Sequence, residues 1–351
     1  MKNIAIGVIG AGLIGRKHLR KLAEHRDYDL VGIADVNVDQ VSAEHPGTRV
    51  FADYLELLDQ ARPEAVIIAS PNQLHAETGI ECARRGVDIL IEKPVTDTLA
   101  AAAALMAEVR KSGIKSLVGH HRRHHLQVKI LKTLLREGRI GDIVGVSAIW
   151  ATHKPADYFK MAPWRSEAGG GPILLNLIHD IDFLRFTVGE IVAVEAIASN
   201  RLRGFAVEDT AAALLEFDNG ALGSFFVSDS AVSPWTTDQG LGESPEFPFS
   251  AESNYRFMGR RGSLEFPGLV QWTQANDAQD WNAPIQAQRI HGSTIDPFVA
   301  QLDHFRDIIR GTAPSLQTVE DGARTLIATL AIAEAAAAGR RIDLRERYAA
   351  L

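Results

Sequence analysis

Cysteine is almost missing from this chain, since Cys82 is the only one among 351 residues. A single thiol excludes an intramolecular disulfide framework and every zinc site built on several cysteines. Proteins of oxidising compartments commonly rely on disulfides, so a lone thiol favours a reducing compartment. We therefore expect a cytoplasmic protein without a metal site.

Long apolar runs and an excess of positive charge are missing as well. The most hydrophobic stretches carry charges or fall short of the roughly 18 residues that a membrane span needs. The apolar run 4–9 is too short and wrongly flanked for a signal peptide. The formal net charge of −7 provides no general attraction to nucleic acid or anionic lipid. We expect a small-molecule ligand, with no nucleic acid and no membrane as partner.

The length favours two domains, and 46% hydrophobic residues are enough for sizeable cores. Short apolar runs alternate with helical stretches in the first part of the chain, the runs lying at 4–9, 30–34, 65–69 and 88–91. This alternation is typical of βαβ units in an α/β protein. It predicts an N-terminal Rossmann domain over residues 1–120, with a doubly wound parallel sheet.

The pattern changes after residue 120. A helical stretch at 127–136 precedes alternating runs at 143–152, 191–200, 210–217 and 221–228. Asn219-Gly220 is a hairpin turn signal between the last two runs. We therefore expect a C-terminal α+β domain over residues 121–351, with a large, mostly antiparallel open sheet. The Pro- and Ser-rich segment 230–250 predicts a long irregular loop, and such a loop is more often a functional lid than a connector.

One glycine motif has definable chemistry. It runs through Gly10, Gly12, Leu13, Ile14 and Gly15. Between a strand and a helix, its first glycine allows a tight turn, its second lets the backbone approach a pyrophosphate, and its third allows close helix packing. Asp35 ends the next apolar run, about 20 residues further on, where the acid that binds the adenosine ribose belongs. Because a carboxylate there repels a 2′-phosphate, we expect NAD rather than NADP.

Two further motifs follow apolar runs of the first domain. They are Ser70-Pro71-Asn72 and Glu92-Lys93-Pro94. Ligands of open α/β sheets bind at the carboxyl ends of the strands, so we expect both motifs to face the cofactor. The proline after Lys93 holds that lysine in extended backbone. There it is either a donor to a substrate hydroxyl or an exposed lysine at a strand end.

A candidate general base lies in the second domain. Apolar residues recur with helical period over 172–187, directly after the glycines at 169–171. Asn176 and His179 are three residues apart and share one helix face, and Asp182 follows at the same spacing. A histidine of ordinary pKa accepts a proton at neutral pH, so His179 is the best candidate base for alcohol oxidation, with Asp182 able to hold its other ring nitrogen. The alternative is a structural helix histidine.

Other polar and aromatic residues of the second domain are candidate substrate contacts. Trp164 offers an aromatic face to the C–H side of a sugar ring, and Arg165 offers donors to hydroxyls or a carboxylate. His153, Asp157 and Tyr158 are candidates for substrate selection. Trp164 and Arg165 have core or surface positions as equal alternatives.

Histidines and arginines cluster at residues 120–125. The spacing of His121 and His125 would suit metal ligands on a helix, but the two arginines between them repel a cation, so no metal is expected. Six basic residues with one acid lie between 122 and 139, and they lack the interleaved aromatics of a nucleic-acid site. A solvated helix face is the expectation.

Together the motifs resemble those of the glucose-fructose oxidoreductase, inositol dehydrogenase and rhizopine-catabolism (Gfo/Idh/MocA) family. The resemblance covers nearly the whole chain in order. It rests on the glycine motif, Ser70-Pro71-Asn72 with His75, the helix that ends at Gly86, Glu92-Lys93-Pro94, and the glycines 169–171 with His179 and Asp182. In that family the lysine lies beside the nicotinamide and the substrate, and the histidine acts at the reacting hydroxyl, which implies these roles for Lys93 and His179.

The resemblance also implies further site residues. His75 and Glu92 are expected near the cofactor, Asn176 beside the catalytic histidine, and Arg122 or Arg123, of which Arg123 is preferred, near cofactor or substrate. Many family members carry an aspartate four residues before the histidine, where this chain has Leu175. The chain thus lacks a charge partner that would raise the histidine pKa.

The expected activity is NAD-dependent oxidation of a carbinol in a sugar, cyclic polyol or related polyhydroxy compound. Two alternatives stay open: a lyase or glycosidase that retains NAD and uses transient oxidation, and a non-catalytic NAD-binding sensor. The resemblance further implies a homodimer or homotetramer built on the C-terminal sheet, because an open sheet with an uncovered face needs a partner.

Overall fold

The computed structural model describes residues 2–242, 247–275, 278–292 and 295–351. By their contacts these residues form two compact units. The first comprises the chain up to residue 124 with 296–326 and residue 351, and the second comprises 125–295 and 327–350. The sequence pattern predicts 296–326 as part of the second domain, whereas the structure assigns this segment to the first unit. The difference arises because the apolar side of the helix at 297–309 completes the first core, where Leu302 and Phe305 are fully buried.

Six strands of the first unit form one sheet, and all neighbouring strands in it are parallel. The strands are β1 (Ile4–Ile9), β2 (Tyr28–Ala34), β3 (Val50–Phe51), β4 (Ala65–Ile68), β5 (Asp88–Ile91) and β6 (Ser116–Val118). Their order is β3-β2-β1-β4-β5-β6. This doubly wound order confirms the expected Rossmann sheet and places its topological switch point between β1 and β4.

Nine strands of the second unit form another sheet. They are β7 (Ile143–Ala151), β8 (Ile191–Ser199), β9 (Thr210–Phe217), β10 (Leu222–Ser228), β11 (Tyr255–Gly259), β12 (Gly262–Phe266), β13 (Val270–Gln274), β14 (Ile285–Arg289) and β15 (Ile342–Asp343). Their order is β14-β13-β12-β11-β7-β10-β9-β8-β15, and among the described strands only β7 and β10 pair in parallel. The expected mostly antiparallel sheet is confirmed. Asn219-Gly220 forms the turn between β9 and β10, with Gly220 at a φ of +85°.

The helices flank these sheets in both units. In chain order they are α1 (Leu13–Glu24), α2 (Val38–Glu44), α3 (Tyr54–Glu56), α4 (His75–Arg84), α5 (Leu99–Ser112), α6 (Leu126–Arg136), α7 (Ala156–Lys160), α8 (Ile178–Thr187), α9 (Thr237–Leu241), α10 (Pro297–Ile309), α11 (Val319–Ala338) and α12 (Arg345–Ala349). Two helices expected as continuous are divided. A π-helical turn at Leu57–Ala61 follows α3, and a π-helical turn at Ile173–Leu177 precedes α8.

An aromatic core fixes α8 in the second unit. The Phe183 ring lies 4.6 Å from that of Tyr255 and 4.9 Å from that of Phe266, measured between ring centroids. The Tyr255 hydroxyl also donates a hydrogen bond to Asp180. The helix that carries His179 is therefore held on the sheet by both apolar packing and a buried hydrogen bond.

Two expectations about loops need correction. The segment 230–250 contains α9, whose N-terminus is capped by the buried Thr236 side chain; residues 243–246 lie outside the described residues. The stretch 122–139, expected as a solvated helix face, differs from that expectation at its start, because Arg122 and Arg123 lie in a 3₁₀ turn at His121–His124 and are each 4% exposed. In α6 the basic residues Lys129 and Arg136 are exposed. Buried arginines require partners, and Asp321 supplies one, 2.6 Å from Arg123.

Among the described residues, no group of three or more His, Cys, Asp or Glu side chains is arranged to hold a metal ion. No described helix is long and apolar enough to cross a membrane.

Candidate active site

The glycine motif connects β1 to α1, and its three glycines have different surroundings. A Cβ at Gly10 would lie 2.6 Å from the Ala69 carbonyl oxygen, and a Cβ at Gly15 would lie 1.9 Å from the Gly10 carbonyl oxygen. At Gly12 nothing lies within 4 Å of that position. Packing therefore requires the first and third glycines, whereas the second borders open space, as a pyrophosphate loop requires.

The start of α1 supplies the donors for such an anion. The first helical bond runs from the Arg16 N–H to the Gly12 carbonyl oxygen, 2.9 Å away. The preceding N–H groups, which include those of Leu13 and Ile14, have no acceptor in the helix. Helix N-termini of this kind bind phosphate groups, so both residues can contact the cofactor through their backbone. The Leu13 side chain is 70% exposed.

Asp35 lies at the carboxyl end of β2, beside the glycine motif. Its Oδ2 accepts a hydrogen bond from the Ala11 N–H at 2.7 Å, and its Oδ1 accepts one from the Asn37 N–H at 2.8 Å. These two bonds orient a half-buried carboxylate at the edge of the loop. The arrangement fits NAD, because such a carboxylate accepts from the ribose hydroxyls and repels a 2′-phosphate.

The loops after β4 and β5 are joined by His75. Its buried ring has Nδ1 2.9 Å from the Pro94 carbonyl oxygen and Nε2 2.9 Å from the Ser70 carbonyl oxygen. Burial lowers the pKa of His75, although the two carbonyls act in the opposite direction. The ring is then neutral at pH 7 and donates to one carbonyl at a time. His75 thus positions the two loops that carry the strand-end motifs.

The loop after β4 contains a buried hydroxyl group, that of Ser70. Its buried Oγ has no hydrogen-bond partner among the described residues. The neighbouring Pro71 is exposed and Asn72 is half-buried. A buried hydroxyl without a partner next to the switch point of the sheet is a candidate contact for a bound nucleotide.

Glu92 lies directly after β5 and is buried beside His18 of α1. Its Oε1 is 2.8 Å from His18 Nε2, and its Oε2 accepts a hydrogen bond from the Lys93 N–H at 3.2 Å. Burial raises the pKa of Glu92, but the bond to His18 and the charges of His121 and Lys93 outweigh it and leave the pKa below its ordinary value. A charged carboxylate is therefore buried next to Lys93 and holds its backbone. The Lys93 residue itself is half-buried.

Arg123 is part of the interior of the first unit. Its Nη2 lies 2.6 Å from Asp321, and its Nη1 donates to the Leu316 carbonyl oxygen at 2.8 Å. These contacts place the guanidinium in an internal ion pair, so the expected role near cofactor or substrate stays a prediction.

The helical segment of the second unit begins beside Glu208. The Glu208 Oε1 accepts a hydrogen bond from the Ile173 N–H at 2.8 Å, and a Cβ at Gly171 would lie 2.6 Å from the same oxygen. Burial raises the pKa of Glu208. Asn176 and His179 follow across the junction between the π turn and α8, and both are half-buried. The structure therefore brings these two polar side chains to one partly accessible stretch of helix.

Asn176 has a hydrogen-bond partner that no sequence motif indicates. The Lys154 Nζ donates a hydrogen bond to Asn176 Oδ1 at 2.6 Å. Lys154 follows β7 and is 8% exposed, and its Nζ lies 3.7 Å from Asp229 Oδ2. Burial lowers the pKa of Lys154 to about 8; Asp229 opposes this shift, whereas Arg165 and Arg203 add to it.

Some of the residues expected to contact the substrate lie close to Lys154. The Arg165 guanidinium lies 3.9 Å from the Tyr158 ring centroid, and its Nη1 donates to the Tyr158 carbonyl oxygen at 2.7 Å. The Lys154 Nζ lies 4.8 Å from the same ring centroid. Trp164 is 49% exposed, and the exposed His153 has Nδ1 3.3 Å from the Ser230 carbonyl oxygen. Arg165 and Lys154 are therefore neighbours, whereas Trp164 and His153 lie at the surface of the unit.

The site residues missed from sequence fall into two groups. Lys154 is followed by Pro155 at the end of a strand, which is the signal that singled out Lys93, and His18 lies three residues after Gly15 on the buried face of α1. Both had a local signal. Glu208 and Asp229 have none, because their roles depend on contacts with distant segments.

Comparisons with known proteins agree with this geometry. Residues 4–120 match the model of an oxidoreductase family with an NAD-binding Rossmann fold, and residues 128–265 match the Gfo/Idh/MocA C-terminal domain. The chain is 31% identical over 237 residues to myo-inositol 2-dehydrogenase of Thermotoga maritima. The aligned region covers 65% of this chain and 69% of that protein. It is 26% identical over 347 residues to 1,5-anhydro-D-fructose reductase of Ensifer adhaerens, covering 96% and 98%.

A solved structure shows the same fold. Levoglucosan dehydrogenase in complex with NADH and levoglucosan aligns with a TM-score of 0.78 at 22% identity, over 98% of this chain and 100% of that chain. The fold, the NAD-type loop and the two domain matches lead to one conclusion. The chain belongs to the Gfo/Idh/MocA family of NAD-binding oxidoreductases.

Proposed function

We propose that this protein is an NAD-dependent dehydrogenase that acts on a carbinol of a sugar, cyclic polyol or related polyhydroxy compound. The observation that carries the proposal is the presence, in a chain with an NAD-type loop, of a half-buried histidine and asparagine, His179 and Asn176, on one stretch of helix. Two of the relatives are named for inositol and for an anhydro-sugar, which supports this substrate class.

The residues of the chain divide the work of the proposed reaction. His179 accepts the hydroxyl proton during oxidation and returns it during reduction, since an ordinary histidine pKa lies close to neutral pH. Lys93 polarises the carbinol oxygen, and the buried carboxylate of Glu92 holds the Lys93 backbone by accepting a hydrogen bond from its N–H. Asn176 hydrogen-bonds the substrate.

The cofactor-binding residues lie in the first unit. The glycine motif and the N-terminus of α1 hold the pyrophosphate, Asp35 selects the unphosphorylated ribose, and the loops with Ser70 and Glu92 border the rest of the nucleotide. NAD, when bound, supplies the hydride acceptor.

A substrate panel tests the proposal. The purified chain is mixed with NAD and a broad set of sugars and polyols, and reduced nicotinamide is followed by absorbance. We expect at least one substrate, and a fall in kcat of about 10²- to 10⁴-fold in His179→Gln. NAD affinity is expected to stay unchanged in His179→Gln, and His291→Gln, at an exposed position, serves as the control.

The outcomes separate the alternatives. Absence of reduced nicotinamide with every compound, together with unchanged NAD binding in Lys93→Ala, would overturn the proposal. Turnover without net reduction, with NAD that co-purifies, would instead favour a lyase or glycosidase that returns its cofactor. No thermal-shift response to any compound would favour a non-catalytic sensor.

We also propose a homodimer or homotetramer formed through the nine-stranded sheet. Side chains alternate along β8, β9 and β10, and one face exposes Ile197, Leu214, Leu222 and Phe226 by 40–78%. A groove of about 400 Å³ lies on this face. A contiguous apolar surface of this kind marks an interaction site. Light scattering after size exclusion tests the proposal, and a monomer at micromolar concentration would overturn it.

A cytoplasmic location stays a proposal as well. Cys82 is free and buried, and burial raises its pKa to about 12, so the thiol is inert and the fold requires no oxidising compartment. Fractionation of the native cells, with detection of the protein in each fraction, tests the location.

A further inference from the structure

We propose that the second unit binds the carboxylate of a polyhydroxy acid and that the Lys154 ammonium is the group that contacts it. The inference rests on the proposed dehydrogenase function and narrows its substrate class to sugar acids. Four residues near Lys154 support the inference: Asn176, Asp229, Arg203 and Arg165.

The Lys154 ammonium has more N–H donors than its acceptors among the described residues use. An ammonium carries three N–H donors, and one of them binds Asn176 Oδ1 at 2.6 Å. The nearest carboxylate oxygen, Asp229 Oδ2, is 3.7 Å from Nζ, which is longer than a hydrogen bond. Within the described part of the chain, Nζ has no second hydrogen-bond acceptor. A ligand oxygen could therefore bind this ammonium without displacing a protein partner.

The surroundings of Lys154 also carry an excess of positive charge. Asp229 already accepts from Arg203, whose Nε lies 2.7 Å from Oδ1 and whose Nη2 donates to the Asp229 carbonyl oxygen. Arg165, on the Tyr158 ring that Lys154 also approaches, has no ion-pair partner among the described residues. Three cations thus face two carboxylates, Asp229 and the nearby Glu208, whose pKa burial raises. A buried charge without full neutralisation is costly, and an anionic ligand would remove that cost.

The position on the helix relates this anion site to the proposed chemistry. Asn176 Oδ1 faces Lys154, so the amide N–H groups of Asn176 are the donors left for a substrate. His179 follows three residues later, a rise of about 5 Å along a helix. A carboxylate at Lys154 would therefore lie a few ångströms from the carbinol at His179, a separation found within one sugar acid. One lysine assisted by Arg165 matches the single charge of a carboxylate better than the double charge of a phosphate ester.

Binding measurements on the NAD-loaded full chain test the inference independently of turnover. Affinities are measured by calorimetry for D-gluconate and D-glucuronate, for the neutral D-glucose and myo-inositol, and for D-glucose 6-phosphate. We expect the acids to bind at least about 10-fold more tightly than the neutral compounds, which corresponds to one charge-assisted contact. Lys154→Gln is expected to lose about 30-fold or more of the acid affinity and to change the neutral affinities by less than about threefold.

Two further variants make the result interpretable. Lys154→Arg keeps the charge and is expected to retain most of the preference for acids. Lys160→Gln removes an exposed lysine of the same segment and is expected to change nothing. Melting temperatures of all variants show whether each one folds.

Several results would overturn the inference. They are equal affinity for acids and neutral compounds in the unmodified protein, tighter binding of the phosphate ester, and a parallel loss of both affinities in Lys154→Gln with a lowered melting temperature. The last result would show that Lys154 only holds the helix. Lysine-dependent acid binding without any formation of NADH would support the carboxylate site and count against the dehydrogenase; oxidation of neutral polyols without acid binding would do the reverse.

Discussion

The imidazole of His18 and the carboxylate of Glu92, 74 positions apart in the chain, form a buried pair with Nε2 2.8 Å from Oε1. One residue belongs to the helix that follows the glycine motif, and the other precedes Lys93. Because the Glu92 carboxylate also binds the Lys93 N–H, the pair couples the nucleotide loop to the backbone of the proposed catalytic lysine. The contact between His18 and Glu92 therefore positions both the nucleotide loop and the Lys93 backbone.

We expect Glu92→Gln to lower the free energy of unfolding by about 1–3 kcal/mol at pH 7, since a hydrogen bond to a charged group is lost. The pKa of Glu92 lies below its ordinary value in the folded state. Its stabilisation is therefore present above the ordinary glutamate pKa and is lost as pH falls through the lower, folded pKa. Urea unfolding at pH 7, 5, 4 and 3 is expected to show a difference from the unmodified protein that shrinks at the values below the ordinary glutamate pKa. The exposed Glu24→Gln is the control, and a difference that stays constant with pH would contradict the assignment.

Gly12→Ala and Gly15→Ala are expected to fail in different ways. The new Cβ at position 15 would lie 1.9 Å from the Gly10 carbonyl oxygen, so that variant is expected to lose about 2 kcal/mol or more of stability through overpacking. The Cβ at position 12 meets nothing within 4 Å, and the backbone there has a φ of −69°. Gly12→Ala is therefore expected to keep its melting temperature but to bind NAD at least about 10-fold more weakly, because the methyl group occupies the approach of the pyrophosphate. Unchanged NAD affinity in this variant would argue against a pyrophosphate at the loop.

Asp35→Ser is expected to shift cofactor preference toward NADP. The carboxylate that repels the 2′-phosphate is removed, and a like-charge contact costs several kcal/mol, so the ratio of NADP to NAD affinity is expected to rise about 30- to 100-fold. Fluorescence titration with both nucleotides measures it. Asp39→Ser, in the first turn of the neighbouring helix α2, removes the same charge from an exposed position as the control. If both variants change the ratio equally, the effect is a general field rather than a ribose contact.

The first unit could be predicted from sequence because its signals are local. The glycine spacing, the acid at the end of β2 and the apolar runs all lie within short windows, and the structure confirms the strands and the parallel sheet. The segment 120–125 could not be predicted, since its arginines are buried by residues nearly 200 positions away, such as Asp321 for Arg123. Hydrophobic periodicity within a short stretch of sequence does not indicate a contact between residues so far apart.

In the second unit, even less of the candidate site could be predicted from the sequence. Lys154, Asn176 and Asp229 come from three separate segments, and only their assembly on the sheet creates the charged cluster. Asn176 and His179 could be named as candidates because they lie three residues apart in one segment of helical apolar periodicity. The acid that opposes the lysine could not, because nothing near Asp229 in the sequence distinguishes it from a surface aspartate.

Burial of Lys154 makes the stability of the folded protein depend on pH. Its pKa falls from 10.5 to about 8 in the folded protein, chiefly through burial. Between these two values the unfolded chain holds a proton that the folded chain has released, so stability rises with pH in this window. Below pH 8 both states are protonated and the full cost of burying the charge remains.

Lys154→Met isolates this contribution, because every other titrating group is common to both proteins. The variant removes the buried charge at all pH values, so its stability relative to the unmodified protein is highest near pH 7. We expect that difference to change by about 2–3 kcal/mol in favour of the unmodified protein between pH 7 and pH 10. Guanidinium unfolding at half-unit pH steps measures it, with the exposed Lys160→Met as the matched control. A flat difference would mean that Lys154 keeps an ordinary pKa and therefore that its ammonium is solvated, which would also remove the electrostatic basis for a carboxylate ligand at this position.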